Sequence, residues 1–302
     1  MQIPPTGHDP VLMEQVLDLL RPAPGAVYVD CTLGRAGHAS VIASRLGPTG
    51  TLIGLDVDPR NLEFAREQLR SAPCTVRLFH ANFAEMRDVF ASLGSEIQSA
   101  DLILADLGLS TNQLFDEHYG LSFATDMPLD MRIDPRLDRK ASDLVNGMRE
   151  DDLANVLYEL AQEHYSRRIA RKIGEARRLS PILTTGRLAE LVRDAIPKKK
   201  GPPEKIDPAT RTFMALRMKV NQELENLGAL LKQAPTFLKP RGRFGVISFH
   251  SMEDRPVKQA FRMLEQTGQA KIITPKPVVP TDAEADQNPR ARSGKLRVIE
   301  KT

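Results

Sequence analysis

The chain has 302 residues, of which 41% are apolar and 27% charged, with a net charge of +3. That is the make-up of a globular protein of one or two domains. No run of about 18 apolar residues offers a membrane span, and MQIPPTGHDP lacks the charged start and apolar core of a secretory leader. Cys31 and Cys74 are the only cysteines, too few for a disulfide framework and not in metal-ligand spacing. A reducing, cytoplasmic setting without membrane contact or a bound metal is therefore expected.

Charge is spread unevenly. Ser166 to Lys219 carries 15 Lys/Arg against 5 Asp/Glu, a local +10, so the remainder sums to −7. Gln287 to Thr302 adds 5 basic residues against 1 acidic. Such runs are commonly solvated helix faces, but an excess on this scale also suits a phosphate backbone as partner. No Trp is present and aromatics do not alternate with the cations, so stacking platforms for single strands are not evident.

In chain order, Leu12, Val16, Leu19 and Leu20 mark an amphipathic helix over Val11–Leu20. Val27–Cys31 alternates as a strand and breaks into the small-residue turn Gly34-Arg35-Ala36-Gly37, after which Ala39–Leu46 reads as a helix. Thr51–Asp56 is a nearly continuous apolar run ending in a carboxylate, as buried parallel strands do. Asp58-Pro59 opens a helix with Asp as cap and Pro at its first position. Thr75–Phe79 and Ala100–Leu107 are third and fourth strands. Strands alternating with helices predict a doubly wound, mostly parallel α/β sheet.

The alternation stops from about Asn112 to Asp207, where only helical patches occur: one around Leu153, Val156, Leu157 and Leu160, one around Ile169 and Ile173, one around Leu188, Leu191 and Val192. Lys198-Lys199-Lys200-Gly201-Pro202-Pro203 reads as a basic linker. The segment is expected to be an inserted helical, basic domain of about ninety to a hundred residues. The boundaries expected are 1–111 and 208–302 for the two parts of the sheet domain and 112–207 for the insertion. Beyond it, Asp207-Pro208 starts a helix whose apolar residues Phe213, Leu216, Val220, Leu224, Leu227 and Leu231 are spaced by three and four. The helix is expected to end near Leu238-Lys239-Pro240-Arg241-Gly242. Arg243–Phe249 is then a buried strand, and Lys271–Thr274 with Lys295–Glu300 a strand pair.

The loop after the first strand lies where open α/β sheets bind ligands. A dinucleotide site asks for G-x-G-x-x-G; here the middle Gly is Ala36 and none follows three residues later. S-adenosylmethionine asks for a small-residue loop and an acid for its ribose hydroxyls. Asp56 stands in the right place for that acid. The pattern favours the methyl donor and leaves another nucleotide open. Asp106-Leu107-Gly108-Leu109-Ser110 ends the fourth strand with a further acid, but without the prolines and aromatic frequent in amino-group methyltransferases.

Taken together the motifs resemble one family, the bacterial S-adenosylmethionine-dependent methyltransferases that modify N4 of a cytidine in small-subunit (16S) ribosomal RNA. They are His8-Asp9-Pro10-Val11-Leu12, Tyr28-Val29-Asp30, the Gly34–His38 loop, Gly54-Leu55-Asp56-Val57-Asp58-Pro59, Asp106–Ser110 and Pro128-Leu129-Asp130-Met131-Arg132. Then follow Ser166-Arg167-Arg168-Ile169-Ala170, Pro208-Ala209-Thr210-Arg211-Thr212-Phe213, Ile247-Ser248-Phe249-His250-Ser251, Glu253-Asp254-Arg255 and Asn288-Pro289-Arg290-Ala291-Arg292-Ser293. The resemblance implies a Rossmann-like methyltransferase interrupted by a helical, RNA-recognising insertion. It implies donor contacts at Ala36, Gly37, His38, Asp56, Phe83, Asp106 and Gln113, and small-subunit ribosomal RNA or the small subunit as partner. Ala36, Met127 and Asp207 stand where the family has Gly, Gly and His; alanine at position 36 is expected to need a negative φ.

The exocyclic amine of cytosine must be oriented and must lose a proton. Asp106, Asp130, His250 and Glu253 are the candidates for that proton, with no assignment among them. Two other functions fit less of the chain. A degenerate methyltransferase would act as an RNA- or ribosome-binding module, and a small-molecule methyltransferase would have no use for the basic segment.

Overall fold

Apolar runs become strands buried on both faces. The computed structural model describes residues 10–197 and 207–302. His8 and Asp9 of the first motif and the Lys198-Lys199-Lys200-Gly201-Pro202-Pro203 linker lie outside the described residues. The chain divides into two units, one comprising Met1–Gly108 and Leu224–Thr302, the other Leu109–Glu223.

The first unit opens with α1 (Met13–Leu20), β1 (Val27–Asp30), α2 (Gly37–Leu46), β2 (Thr51–Asp56), α3 (Pro59–Gln68), β3 (Thr75–His80), α4 (Met86–Ser92) and β4 (Ala100–Asp106). The second holds α5 (Thr111–Phe115), α6 (Ala141–Gly147), α7 (Glu150–Ala161), α8 (Ser166–Arg177), α9 (Thr185–Ala195) and α10 (Ala209–Val220). The chain then runs through α11 (Glu223–Phe237), β5 (Leu238–Ser248), α12 (Ser251–Gln266), β6 (Ala270–Ile272), α13 (Asp282–Gln287) and β7 (Lys295–Lys301).

The sheet of seven strands has the order β3-β2-β1-β4-β5-β7-β6. The first five are parallel, while β7 runs antiparallel to both β5 and β6. This is the doubly wound, mostly parallel α/β sheet that the strand pattern predicts. Because successive side chains point to opposite faces, Val29, Ile53, Ile103 and Phe244 enter one core. Tyr28, Leu52, Leu102 and Leu104 enter the other. A sheet covered on both faces needs apolar residues at nearly every position, which is why these strands read as runs and not as alternation. Asp58 caps α3 through the N–H of Arg60, 3.0 Å from Oδ1.

In the second unit the described residues contain no strand, only an isolated bridge between Pro128 and Thr184. Ile169 and Ile173 of α8, Leu188 and Val192 of α9, and Leu153 and Leu157 of α7 share one core. Met127 is buried and its N–H meets the Thr185 hydroxyl at 3.0 Å. Asp207 accepts the N–H of Ala209 at 2.8 Å and pairs with Arg193 at 2.9 Å.

Three expectations are corrected. The single helix expected after Asp207 is two helices, α10 and α11, broken at Gln222, whose φ is 52°. Phe213, Leu216 and Val220 belong to the core of the second unit, whereas Leu227 and Leu231 belong to the first. One unbroken periodicity thus serves two cores. For the same reason α10 falls with the helical unit, so the divisions lie at Gly108/Leu109 and Glu223/Leu224 in place of 111/112 and 207/208. Finally, Leu238–Gly242 is not a turn before β5 but its first part. Ala100 pairs with Leu238 and Leu102 with Arg243, so the extra residues form a bulge containing Arg241 at φ 64°.

Candidate active site

In the first unit β1 lies between β2 and β4, so the chain winds away from it in both directions. The carboxyl ends flanking such a switch point form a crevice. β1 ends at Asp30, β2 at Asp56 and β4 at Asp106, while β5 leads into Phe249 and His250. The loop leaving β1 is tied down strand by strand. Cys31 N–H donates to the Leu104 carbonyl at 2.8 Å and Leu33 N–H to the Leu55 carbonyl at 2.9 Å. The Thr32 hydroxyl accepts the N–H of Asp106 at 2.6 Å. Leu33 packs over Gly54, where an added Cβ would sit 2.8 Å from a Leu33 methyl. Small residues here are therefore demanded by the floor of the loop as well as by its rim.

Gly34 has φ 52° and Ala36 has φ 64°. The expectation of a negative φ at Ala36 is overturned. A left-handed alanine costs about 1–2 kcal/mol. It is held because its N–H bonds the Leu33 carbonyl at 2.8 Å and its carbonyl accepts the Ser40 N–H at 2.8 Å, opening α2. Gly37 follows as the first residue of α2 and faces the Pro10 ring.

Asp56 accepts the N–H of Gly34 at Oδ2 (2.7 Å) and that of Asp58 at Oδ1 (2.8 Å). Burial nevertheless pushes its carboxyl up to about 7. The Asn61 side chain hydrogen-bonds the same carboxylate, and of its roughly four lone-pair sites capacity for one further donor remains. Asp30 takes the Tyr28 hydroxyl at 2.9 Å and the Thr32 N–H at 3.2 Å, and burial pushes it to about 6. Asp106 is also raised well above its ordinary range, by burial first and then by the charges of Asp30 and Glu253. Its Oδ1 is buried and has no hydrogen-bond partner among the described residues. His38 is buried, with Nε2 2.9 Å from the Val11 carbonyl and Nδ1 3.7 Å from Asp106 Oδ2. Phe83 lies in a 3₁₀ turn just after β3, at the same edge as Asp56, half-buried against the core.

On the far side of β4, Glu253 of α12 accepts the Phe249 N–H at 2.9 Å with Oε2. Its Oε1 stands 3.1 Å from His250 Nε2. Of the seven positions read as donor contacts, six, namely Ala36, Gly37, His38, Asp56, Phe83 and Asp106, thus meet at one edge of the first unit. Gln113 is on α5 of the second, buried, with its side chain accepting the Ser110 N–H at 3.2 Å. Asp130 also lies in the second unit, gripped by Arg132 at 2.7 and 2.9 Å. Burial opposes its ionisation, but the Arg132 bonds outweigh that and hold the carboxyl below its ordinary range. Sequence reasoning passed over Asp30 and Thr32 as site residues. The signal for Asp30 was available, since it closes β1 as Asp56 closes β2.

The basic segment divides by face. On α8, Ile169, Ala170 and Ile173 are buried while Arg167, Arg168 and Arg171 are exposed. Arg167 pairs with Asp151 at 3.3 Å and Arg171 approaches Glu150 at 3.9 Å. Arg168, Lys172 and Arg178 have no carboxylate partner among the described residues.

A sequence profile of the MraW methylase family matches residues 5–302. The chain belongs to the MraW methylase family. Its relatives include ribosomal RNA small subunit methyltransferase H of Acidobacterium capsulatum, 46% identical over 301 residues, covering 97% of this chain and 98% of that one. The Koribacter versatilis protein of the same name is 46% identical over 298 residues, covering 96% and 93%. That of Desulfosudis oleivorans is 43% identical over 309 residues, covering 97% and 98%. For an MraW methylase the ring of strand-end acids around the β1 loop is then the place to seek its donor. No helix among the described residues is long and apolar enough to cross a membrane.

Proposed function

We propose that this MraW methylase transfers a methyl group from S-adenosylmethionine to N4 of a cytidine in 16S ribosomal RNA, in the cytoplasm, on the small subunit or its RNA. The observation that carries the reading is the edge of the first unit, where Asp56 and Asp106 flank a loop fixed in a left-handed turn. The relatives' names specify methylation of small-subunit ribosomal RNA and, with near-complete coverage of both chains, support that substrate class.

The residues fit the donor. Asp56 keeps acceptor capacity for a ribose hydroxyl, Phe83 lies at the same edge, and the buried, unpartnered Oδ1 of Asp106 asks for a donor group. When bound, S-adenosylmethionine supplies an electrophilic methyl. The chain's own part is to hold the acceptor amine in line and to take its proton. Asp106, His250 and Glu253 lie at this edge and serve that step; Asp130, neutralised by Arg132, does not. The helical unit contributes unpaired cations on α8 for the phosphate backbone. A cytosine in a helix has to leave its stack before its amine can be reached.

A binding module without activity would gain nothing from three buried strand-end carboxylates, each raised by burial. The deciding experiment incubates the protein with methyl-labelled donor and small subunits from a strain lacking this modification, then locates label by mass spectrometry of RNA fragments. Label at a cytidine N4 is expected. Binding to subunits with no label, beside an active control enzyme, would sink the proposal in favour of the module.

A further inference from the structure

Beyond β5 the first unit gathers a second set of polar groups, which methyl transfer leaves unused. α12 packs against β6 and β7. Between them lies a cleft of about 230 Å³, its open mouth included, lined by Lys258, Phe261, Arg262, Ile272, Thr274 and Arg297. Pockets for drug-sized ligands run to about 300–1,000 Å³, so this one suits a single small group.

The polar atoms of the lining are donors. Arg297 is only 7% exposed. Its Nε and Nη2 grip Asp254 at 2.6 and 3.1 Å. Nη1 takes part in neither bond and keeps contact with solvent, which it reaches through the cleft. Thr274 is buried, and its hydroxyl oxygen accepts the Val298 N–H at 2.8 Å. Its own O–H hydrogen is therefore left to donate. Lys258 and Arg262 stand four residues apart on one face of α12. Neither has a carboxylate or hydrogen-bond partner among the described residues.

The nearby acids are engaged. Burial opposes ionisation of Asp254, but the Arg297 bonds and the charges of Arg297, Lys295 and Lys258 outweigh it and hold the carboxyl below its ordinary range. Glu265, the next acid along α12, turns Oε1 to the Ile272 N–H at 2.9 Å. Three lining cations less Asp254 leave +2 at the cleft. Its floor is apolar, from buried Phe261 and half-buried Ile272, and charge-assisted bonds strengthen where water is thinned out. Donors arriving from a helix, a strand and the segment after β6 match an anion that accepts from several directions at once.

We propose that the cleft between α12 and β7 is a phosphate site, occupied by a phosphodiester of the RNA substrate. The chemistry of the site stands on its donors alone; RNA as the source rests on the ribosomal RNA reading above. A free phosphate compound offers the same group. RNA is favoured because the mouth is open and Arg262 is exposed beside it, so a chain can pass over and seat one phosphate.

The test is acylation of lysine amines in the unaltered protein, quantified by mass spectrometry. Lys232 of α11, exposed and in the same unit, is the internal reference. A small-subunit RNA fragment is expected to slow acylation of Lys258 severalfold relative to Lys232. Inorganic phosphate is expected to do the same, while chloride at equal ionic strength leaves the ratio unchanged. The double change Lys258→Ala, Arg262→Ala should take about 0.7–0.9 from the slope of log RNA affinity against log salt, as loss of one phosphate contact does. Lys232→Ala removes a charge from the same unit and should leave the slope as it is.

Unchanged Lys258 reactivity with both RNA and phosphate would overturn the proposal. Equal protection by chloride would overturn it too, reducing the cleft to ordinary charge screening. Protection by phosphate but not by RNA would overturn RNA as the source and give the site to a free phosphate compound. Protection by a polyglutamate peptide alone would overturn the phosphate site in favour of an acidic protein partner. RNA that protects Lys258 but is never methylated would leave this site standing and remove the proposed acceptor. Methylation at cytidine N4 without protection would do the reverse.

Discussion

Asp56 holds Gly34: the carboxylate that closes β2 accepts the Gly34 backbone N–H at 2.7 Å and thereby pins the loop leaving β1. One side chain thus shapes the loop and faces the ligand crevice. Asp56→Ala should therefore lower donor affinity tenfold or more, about 1.4 kcal/mol, while RNA affinity, carried by cations of the helical unit, stays within about twofold. Calorimetry with S-adenosylhomocysteine and filter binding with RNA measure the two. Unchanged donor affinity would remove Asp56 from the site.

The same carboxylate makes stability depend on pH. Asp56 ionises at about 7 in the folded protein against 3.8 ordinarily, and Asp30 at about 6. Between those values the native state binds protons that the unfolded chain has lost. The linkage slope is then negative. What these two groups contribute is fully present below about pH 4 and is lost as the pH rises through 6 and 7. Asparagine at position 56 has no proton to lose. Asp56→Asn should accordingly gain on the unaltered protein from pH 4.5 to pH 8, on the order of a few kcal/mol, in urea unfolding of the ligand-free protein. A difference that stays constant with pH would show that Asp56 is ionised throughout.

Ala36 combines strain and burial. Ala36→Gly relieves about 1–2 kcal/mol of left-handed strain. It also loses about 0.8 kcal/mol for the buried methyl and about 0.4–1 kcal/mol through the freer unfolded chain. The sum is a change of less than about 1 kcal/mol in either direction. Ala36→Val keeps the positive φ and adds a β-branch to a fully buried position, so it should cost more than about 2 kcal/mol. Thermal or urea unfolding ranks the pair. A valine as well tolerated as the glycine would mean that the loop rearranges freely.

The strands were legible because a sheet buried on both faces writes continuous apolar runs, and Asp56 and Asp106 stood out as carboxylates ending such runs. Asp30 was less visible, since β1 is only four residues long and its acid merges into the loop. The break at Gln222 was hidden because Leu216, Val220, Leu224 and Leu227 keep helical spacing across it; periodicity reports which residues are buried but not in which core. The φ of Ala36 and the tautomer of His38 depend on partners distant in sequence, the loop bonds of Leu33 and the Val11 carbonyl, and no local pattern encodes them.

The cations of α8 separate into paired and unpaired, and the two kinds predict different outcomes. Arg167 and Arg171 face Asp151 and Glu150 at largely exposed sites, where such pairs add little to stability. Their charge is also partly cancelled for any phosphate nearby. Arg168 and Arg178 are exposed and Lys172 half-buried, none has such a partner among the described residues, and the buried face of the helix is Ile169, Ala170 and Ile173. If these three each neutralise one phosphate, the triple change Arg168→Ala, Lys172→Ala, Arg178→Ala removes about 2 to 3 from the slope of log affinity against log salt. Folding stability should shift by less than about 1 kcal/mol, since no packed surface is lost. Arg167→Ala should change the slope by less, because Asp151 already meets part of its charge. Salt titrations of binding to small-subunit RNA fragments check all of this. A slope untouched by the triple change would move the RNA-binding surface away from α8.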